Sequence, residues 1–332
     1  MSAKPSMPIT TSKEKSGQSG KPTVALALGG GGARGIAHIL MLEVFDELGI
    51  RPTVIAGTSI GALFGAAYAS GMTAKQIRAY TEETLERRFD LMRQVFAARS
   101  EPVQMLLRVL PIRTSLISSA ALLELVYPGH VAKDFADLKI PLKVVATDLK
   151  THETIVFEQG PLRPAVAASI AIPVLFSPIA LDDRLLVDGG LVNPLPFDLI
   201  DGAADITVAV DVTGGSADGE FAARPTAVEV MVESFQILQK SVTRERLRYR
   251  RPDILIDASV NRFGALEFYR PAEIIEAARP AKEKLKAELV RALSATPAGR
   301  AIVPQETRQT LPSKTTPESR PSPRRGASRR SS

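Results

Sequence analysis

The most informative part of the chain is residues 23–61, which run TVALALGGGGARGIAHILMLEVFDELGIRPTVIAGTSIG. It begins with Thr23 to Leu28, a short apolar run that is typical of a buried strand. Four glycines follow, and apolar residues then recur at three- and four-residue steps as far as Leu48. Gly49 supplies a stop signal, so this part predicts a strand, a glycine loop and a helix.

The same order is repeated immediately afterwards. Thr53 to Ala56 is a second strand pattern that leads into Gly57, and Ser59 stands at the turn that follows. Ile60 to Ser70 is almost entirely small or apolar, which predicts a buried helix. Strands that alternate with helices predict an α/β fold with a mainly parallel sheet that helices cover on both faces.

The alternation continues along the chain. Further strand patterns occur at 142–147, 154–157, 185–187, 206–212 and 254–256, and helix patterns occur at 227–248 and 272–293. Residues 84–125 are mainly helical in pattern and rich in arginine. They form either a helix pair that packs on the sheet, which we favour, or an amphipathic cap that meets lipid.

Charge separates the two ends of the chain from its centre. The formal net charge is +6, yet residues 1–21 carry +3 and residues 300–332 carry +6, which leaves −3 for the part between. Both ends are poor in apolar residues, which predicts disordered basic tails at 1–22 and 297–332 around a domain at 23–296. Such tails either stay in solvent, which composition favours, or contact anionic membrane surfaces by charge. Specific nucleic-acid binding is not expected.

Composition excludes several kinds of site. The chain has no cysteine, so disulfides, thiolate metal sites and cysteine nucleophiles are excluded. No apolar run of signal-peptide type precedes Thr23, and the longest apolar stretch, Ala165 to Leu181, is interrupted by Pro173 and Pro178. We therefore expect a cytoplasmic protein whose contact with membranes, if any, is peripheral.

The first chemical motif is Gly57-Thr58-Ser59-Ile60-Gly61, a G-x-S-x-G pentapeptide between a strand and a helix. At such a bend the small flanking residues let the backbone reverse, and the serine is presented at a helix N-terminus. Amide N–H groups and the helix dipole favour an alkoxide-like oxygen there, which makes Ser59 a candidate nucleophile. The alternative is a glycine-bracketed loop serine without a catalytic role.

The second motif, Gly30-Gly31-Gly32-Ala33-Arg34-Gly35, follows the first strand and opens a helix. Successive glycines can turn their N–H groups towards an anion, as an oxyanion hole requires. The pattern also fits the G-x-G-x-x-G dinucleotide fingerprint. However, no acidic residue ends the second strand, and the Gly-Lys-Ser/Thr of a phosphate loop is absent, so both nucleotide-binding interpretations are weakened.

The third motif, Asp188-Gly189-Gly190, comes directly after the apolar run 185–187. An aspartate at a strand end can face a neighbouring loop, although ordinary turn aspartates are frequent. The three histidines of the chain are His38, His130 and His152. All of them precede Asp188, whereas an α/β-hydrolase triad places its histidine after the acid. A carboxylate base in place of a histidine is therefore the natural hypothesis.

These three motifs, in this order, resemble those of the patatin-like phospholipases, and of their shorter bacterial members in particular. The segments ASIAIP at 168–173 and Asn193-Pro194 are similar to family segments as well, and the resemblance covers about Val24 to Ile256. It implies a three-layer α/β/α fold with a mainly parallel sheet, and hydrolysis of the acyl esters of lipids. The hydrolysis that it implies requires no metal and no organic cofactor.

The resemblance also implies roles for individual residues. Ser59 would be the nucleophile and Asp188 the only proton acceptor, with an oxyanion hole formed by the glycine loop of residues 30–35. A pH profile with a carboxylate-type limb at low pH is then expected. Arg34 either orders the loop or lies near a phosphate. An esterase or thioesterase for small soluble substrates and a non-catalytic scaffold are the alternatives.

Overall fold

The structure is a computed structural model that describes residues 22–96, 118–127, 129–213 and 226–295. Its strands are β1 (Val24–Leu28), β2 (Ile55–Thr58), β3 (Leu142–Asp148), β4 (Thr154–Phe157), β5 (Ile179–Leu181), β6 (Arg184–Asp188), β7 (Ile206–Asp211) and β8 (Ile254–Asp257). Its α-helices are α1 (His38–Glu47), α2 (Ile60–Ala69), α3 (Ala74–Phe96), α4 (Ser119–Val126), α5 (Leu162–Ser169), α6 (Ala227–Tyr249), α7 (Pro271–Ala277) and α8 (Arg279–Ala295). Short 3₁₀ helices occur at Gly32–Ala37, Phe135–Asp137, Gly189–Leu191 and Phe197–Ile200.

The strands join in one mixed sheet of order β5-β6-β3-β2-β1-β7-β8, with β4 also paired to β3. The central strands β3, β2, β1, β7 and β8 run parallel to one another, as the alternation of strands and helices predicts. Strands β4, β5 and β6 join them in the antiparallel sense. Strands β1 and β7 consist mainly of aliphatic residues and are almost wholly buried, which is typical of a parallel sheet covered on both faces.

Alternate residues of β1 face opposite sides of the sheet. Leu26 and Leu28 belong to a large apolar cluster that includes residues of α1, α2 and α8. Ala27 belongs to a second cluster, which includes the turn Phe197–Ile200 and is contacted by Leu247 of α6. Helical segments therefore cover both faces, and the predicted three-layer α/β/α fold is confirmed.

Strand pairing along one edge of β3 determines where the candidate site forms. Along Val144–Thr147, one edge of β3 is paired with β4. A strand has only two edges, so β2 and β6 must share the other one, end to end. Thr58 of β2 pairs with Val145, and Asp188 of β6 pairs with the next residue, Ala146. The C-terminal ends of two strands that run towards each other therefore meet at this point.

Several elements differ from their predicted bounds. The helix predicted at 272–293 is two helices, α7 and α8, because Pro280 lacks the N–H that a helix interior needs but is tolerated as the second residue of α8. The apolar stretch Ala165 to Leu181, for which the pattern predicts only buried backbone, contains most of α5 and all of β5. Strand β2 begins at Ile55 rather than at Thr53 and extends to Thr58.

Parts of other predictions fall outside the described residues. Helices α3 and α4 cover the two ends of the arginine-rich segment 84–125, but its middle, residues 97–117, lies outside the described ranges. The predicted tails 1–22 and 297–332 lie outside them as well, apart from Pro22. Among the helices that the structure does describe, none combines the length and the apolar character needed to cross a membrane.

The crossing of α2 over β1 generates a stability prediction. A Cβ atom added at Gly61 would lie 2.1 Å from the carbonyl oxygen of Leu28, whereas one added at Gly129 would meet nothing within 4 Å. We expect Gly61→Ala to lower the free energy of unfolding by at least about 2 kcal/mol, because the helix must move away from the sheet. The matched change Gly129→Ala should stay within about 0.5 kcal/mol. Chemical denaturation measures both, and equal stability of the two variants would contradict the packing described.

Candidate active site

Ser59 stands at a sharp bend between β2 and α2. Its backbone has φ 55° and ψ −124°, a left-handed conformation that is rare for a residue other than glycine, and its side chain is buried. Holding this conformation costs on the order of 1–3 kcal/mol, which the surrounding structure must supply. A Cβ atom at Gly57 would lie 2.7 Å from backbone atoms of Ala62, so the glycine before the bend is required sterically. The structure thus forms the predicted strand–turn–helix bend.

Asp188 lies directly beside Ser59, because β6 ends where β2 ends on the edge of β3. Ser59 Oγ donates a hydrogen bond of 2.6 Å to Asp188 Oδ2. The other carboxylate oxygen, Oδ1, accepts the N–H of Gly190 at 2.7 Å. Thr147 Oγ1 donates to the Asp188 backbone oxygen at 2.9 Å. The hydroxyl and the carboxylate that the sequence singles out are therefore brought together.

The turn Asp188-Gly189-Gly190 (the acid turn) is closely packed, like the bend at residues 57–61 (the serine bend). A Cβ atom at Gly189 would lie 2.3 Å from the carbonyl oxygen of Val145, and one at Gly190 would lie 1.9 Å from Nε2 of Gln239. A larger residue at Gly189 would push the turn away from β3, whereas one at Gly190 would displace the side chain of Gln239. The two glycines therefore allow Asp188 to sit at its observed position against the sheet.

Burial changes the acidity of Asp188. The residue is fully inaccessible to solvent, and desolvation of the carboxylate raises the pKa of Asp188 to about 7, against the lowering effect of the hydrogen bonds from Ser59 and Gly190. A carboxyl group with this pKa titrates near neutrality, above the low-pH range that the sequence leads us to expect for it. The sequence reveals the carboxylate but not the depth at which it is buried.

The glycine loop is fixed by two of its own amides. The N–H of Gly30 donates to Pro194 O at 2.9 Å, and the N–H of Ala33 donates to Ala265 O at 2.8 Å. Gly32 has φ +60°, and a Cβ atom there would lie 2.2 Å from Ala265 O, so only glycine fits. The predicted oxyanion residues therefore fall into two groups: Gly30 and Ala33 hold the loop, whereas Gly32 lines the pocket at Ser59.

Two further glycines bring this loop close to the serine bend and the sheet. A Cβ atom at Gly31 would lie 2.5 Å from Val212 O, and one at Gly35 would lie 2.2 Å from Cγ2 of Ile60. Gly30 is the third close approach, since a Cβ atom there would lie 3.3 Å from Cβ of Ser59. The glycine run is therefore a packing requirement as well as a source of amide donors.

Arg34 anchors the loop and does not face the Ser59–Asp188 pair. Its guanidinium is buried and donates to the backbone oxygens of Phe263 and Thr213, at 2.5 Å and 2.9 Å. It also reaches α6, with Gln236 Oε1 at 3.3 Å and Glu233 Oε2 at 3.8 Å. Desolvation lowers the pKa of Arg34, and the charge of Glu233 opposes that effect. Of the two roles that the sequence leaves open, the contacts favour ordering the loop.

No histidine takes part in the site. His38 is fully buried, its Nε2 lies 2.8 Å from Gly29 O, and desolvation lowers the pKa of His38 to about 4. His130 and His152 are exposed on loops. Within the described part of the chain, none of the three forms a hydrogen bond with Ser59 or Asp188.

Sequence reasoning missed a hydroxyl that positions the serine bend. Ser169, at the end of α5, accepts the N–H of Ser59 at 2.9 Å and donates to Val145 O at 2.6 Å. The Ser169 hydroxyl therefore links the serine bend to β3. Ser169 lies in the segment 168–173, which resembles the corresponding family segment. That resemblance could have drawn attention to Ser169, but it did not indicate what the residue does. Thr58 adds a second link by donating to Asn193 O at 2.8 Å.

An apolar pocket that is partly open to solvent lies at Ser59, and its cavity volume is about 70 Å³. Besides Gly32 and Ser59, its lining residues are all apolar: Ile60, Leu63, Ile170, Ile172, Leu175, Phe176, Leu266 and Phe268. Walls of this composition suit a hydrocarbon group beside the hydroxyl. In the described ranges, no three His, Asp or Glu side chains come together in a way that suits a metal ion.

The buried carboxylate generates a prediction about stability. Because the pKa of Asp188 is raised from 3.8 to about 7 on folding, the folded protein retains a proton that the unfolded chain has lost between these two values. The free energy of unfolding therefore falls as pH rises through this window. Asp188→Asn removes the ionisation, so its stability relative to the wild type should rise from pH 4 to pH 7 by on the order of 4 kcal/mol, and then level off.

Denaturation curves of both proteins across this pH range measure the difference. Asp182→Asn, in an exposed turn, is the matched control for loss of one negative charge, and its difference from the wild type should show no such rise. Parallel pH dependences of the wild type and Asp188→Asn would show that Asp188 does not carry a buried charge.

Comparison of the sequence with known proteins identifies relatives of this chain. An uncharacterized NTE family protein of Mycobacterium tuberculosis is 38% identical over 203 residues, which are 60% of this chain and 51% of that protein. Human patatin-like phospholipase domain-containing protein 6 is 33% identical over 199 residues, which are 59% of this chain and 14% of that protein. This chain therefore spans about half the length of the mycobacterial relative and a small part of the human one.

Among solved structures, VipD from Legionella pneumophila superposes with a TM-score of 0.43 and 16% identity, covering 80% of this chain and 67% of that chain. The family described as patatin-like phospholipase matches residues 26–201, a stretch that contains the glycine loop, the serine bend and the acid turn. More than half of the chain lies within that match, and the protein belongs to the patatin-like phospholipase family.

Proposed function

We propose that this protein is a serine acyl hydrolase that cleaves the carboxylic ester bonds of lipids, with activity of the phospholipase or lysophospholipase kind. The observation that carries the proposal is the 2.6 Å hydrogen bond from Ser59 Oγ, which lines an apolar pocket, to the buried Asp188 carboxylate. A hydroxyl beside a base and a hydrocarbon-binding surface are together what attack on a lipid ester requires.

In the first half of the reaction, Asp188 Oδ2 takes the proton of Ser59 as Oγ attacks the ester carbonyl carbon. The pKa of Asp188, near 7, is well matched to this transfer, since a base is most effective when its pKa lies close to the working pH. The protonated carboxyl group then gives its proton to the leaving alcohol. The C–O bond breaks, and an acyl-serine remains.

Negative charge builds up on the carbonyl oxygen during this step. We assign its stabilisation to the glycine loop, principally to the backbone N–H groups of Gly31 and Gly32. The amides of Gly30 and Ala33 are already engaged by Pro194 and Ala265, which supports this division. Fixed amide donors act without reorganisation, and removing one such donor typically costs a factor of 10²–10³ in rate.

In the second half, water takes the place of the alcohol. Asp188 accepts a proton from the water as the water oxygen attacks the acyl carbon. It then returns the proton to Ser59 Oγ as the bond between Oγ and the acyl carbon breaks, which restores Ser59 and releases the fatty acid. The steps that we propose use no side chain other than those of Ser59 and Asp188.

The pocket favours lipid esters over small soluble esters or thioesters. Two apolar side chains, Val174 and Tyr269, are 43% and 54% exposed, and each is next in sequence to a residue that lines the pocket. We propose that exposed apolar side chains such as these make peripheral contact with a lipid surface. A non-catalytic scaffold, in contrast, would not need a strained serine paired with a buried base.

Replacing either member of the pair tests the assignment. Ser59→Ala and Asp188→Asn should each lower kcat/KM for ester hydrolysis at least about 1,000-fold, because nucleophile and base act as one unit. His38→Asn, His130→Gln and His152→Gln should each change it less than about tenfold, provided that circular dichroism shows an intact fold. A fluorophosphonate probe should label Ser59, as mapped by mass spectrometry. Labelling at another serine, or full activity in Ser59→Ala, would overturn the proposal.

The pH profile gives an independent test. Only the ionised form of Asp188 can accept the proton, so kcat/KM should rise about tenfold per pH unit below 7 and level off above it. His38 cannot produce this limb, since the pKa of His38 is about 4. The limb should therefore persist unchanged in His38→Asn. Its disappearance in that variant would assign the titration to the histidine and point to a different catalytic arrangement.

A further inference from the structure

The segment Asn193-Pro194, which resembles a family segment but has no part in the proposed steps, lies where the three motifs meet. The N–H of Asn193 donates to the backbone oxygen of Gly189 in the acid turn at 2.9 Å. The backbone oxygen of Asn193 accepts the hydroxyl of Thr58 in the serine bend at 2.8 Å. The backbone oxygen of Pro194 accepts the N–H of Gly30 in the glycine loop at 2.9 Å. Two adjacent residues therefore contact the acid turn, the serine bend and the glycine loop at once.

Pro194 explains why two successive backbone oxygens can reach two different parts of the site. A proline ring disfavours the helical conformation at the preceding residue, which favours an extended backbone at Asn193. Successive carbonyl groups of an extended backbone point in roughly opposite directions, so one can meet the serine bend while the next meets the glycine loop. Pro194 is buried, and it has no N–H group that would need a partner there.

The side chain of Asn193 links this segment to α6 through Asp198. Asn193 is 1% exposed, and its Nδ2 donates to Asp198 Oδ1 at 2.9 Å. Arg246 of α6 donates to Asp198 Oδ2 through Nη1 at 3.0 Å and to Val192 O through Nη2 at 3.1 Å. Most amino acids could make the backbone contacts of residue 193, but only a side-chain donor of suitable length can bind Asp198. An aspartate would instead place two carboxylates against each other.

The proposed reaction requires the three motifs to be closely aligned. The carbonyl oxygen of the substrate has to meet the amides of the glycine loop while its carbon faces Ser59 Oγ, and a misplacement of about 1 Å can lower the rate on the order of 100-fold. Gly30 of the glycine loop is held by Pro194, and the strained serine bend is held in part by Thr58. The position of Asn193 therefore affects both sides of the reacting carbonyl group.

We propose that Asn193 is a positioning residue for ester hydrolysis, and that its hydrogen bond to Asp198 keeps the glycine loop aligned with the Ser59–Asp188 pair. This inference rests on the proposed function and adds to it a residue that touches neither the substrate nor the reacting atoms. Displacement of Asn193 shifts its contacts with the serine bend and the glycine loop together. The amide donors and the nucleophile then lose their alignment while the surrounding sheet stays intact.

A donor–acceptor swap tests this role. Asn193→Asp opposes two carboxylates, so kcat for p-nitrophenyl butyrate should fall about 100-fold while KM changes less than about threefold. Asn193→Asp combined with Asp198→Asn restores one amide beside one carboxylate and leaves an amide oxygen to accept Arg246. This double variant should therefore recover at least about tenfold of the lost kcat. All rates are measured at about pH 8.5, above the pKa of Asp188, so that the base is ionised.

Two further variants separate positioning from folding. Asn193→Ser removes the amide donor without adding a charge, and it should lower kcat at least about tenfold. Asp201→Asn breaks the exposed ion pair with Arg250 and is the matched control, which should keep kcat within about twofold. Circular dichroism gives the folded fraction of each protein. Fluorophosphonate labelling of Ser59 is the second readout, and it should slow by about the same factors as kcat.

A purely structural role would lower the stability of the Asn193 variants but leave their folded fraction with the kcat of the wild type, and that result would overturn the inference. A folded double variant no more active than Asn193→Asp would overturn it as well. If Asn193→Asp does not fold, kcat and the labelling rate of Asn193→Ser decide. A wild type that cleaves no ester contradicts the proposed function, whereas an active wild type with unaffected variants contradicts the positioning role alone.

Discussion

The whole site depends on how one edge of β3 is divided. Strand β2 occupies its first part and ends at Thr58, and β6 comes from the opposite direction and ends at Asp188. The last residue of β6 and the residue that follows β2 therefore become neighbours. Sheet hydrogen bonds, rather than a flexible loop, set the distance between the hydroxyl of Ser59 and its carboxylate partner.

Enclosure of this pair has two opposing effects. Burial in an apolar layer penalises the charged carboxylate and raises the pKa of Asp188, while the N–H of Gly190 and the hydroxyl of Ser59 compensate in part. The balance leaves a carboxyl group whose pKa lies near neutrality, as the proposed proton transfer requires. The strained backbone of Ser59 also costs free energy, and it is held in place by the close packing at Gly57 and Gly61 and by the hydrogen bond that the Ser59 N–H donates to Ser169.

The features that could be predicted from the sequence are those that depend on neighbouring residues. Short stretches of sequence predict three of these features: the strand–turn–helix order around Ser59, the buried parallel strands and the need for glycine at each bend. The resemblance to the family came from the same short motifs, and the match over residues 26–201 confirms it.

The features that could not be predicted depend on distant contacts. Ser59 is 129 positions from Asp188 and 110 from Ser169. The pairing with Asp188 was expected only from the resemblance to the family, and no pattern in the sequence indicated the contact with Ser169. The raised pKa of Asp188 follows from the depth of its surroundings, which only the assembled layers define. The buried anchorage of Arg34 likewise involves α6, about 200 positions away.

Gly57 and Gly61 in the serine bend pack directly against backbone atoms, whereas side chains line the nearby pockets. A change at Gly61 collides with a carbonyl oxygen of the sheet, so the bend has almost no freedom to vary. Thr81 and Met72 line a space between α2, α3 and α4, so a change there alters the shape of that space and not the bend. The side chains around the pockets can therefore vary while the bend at Ser59 stays fixed.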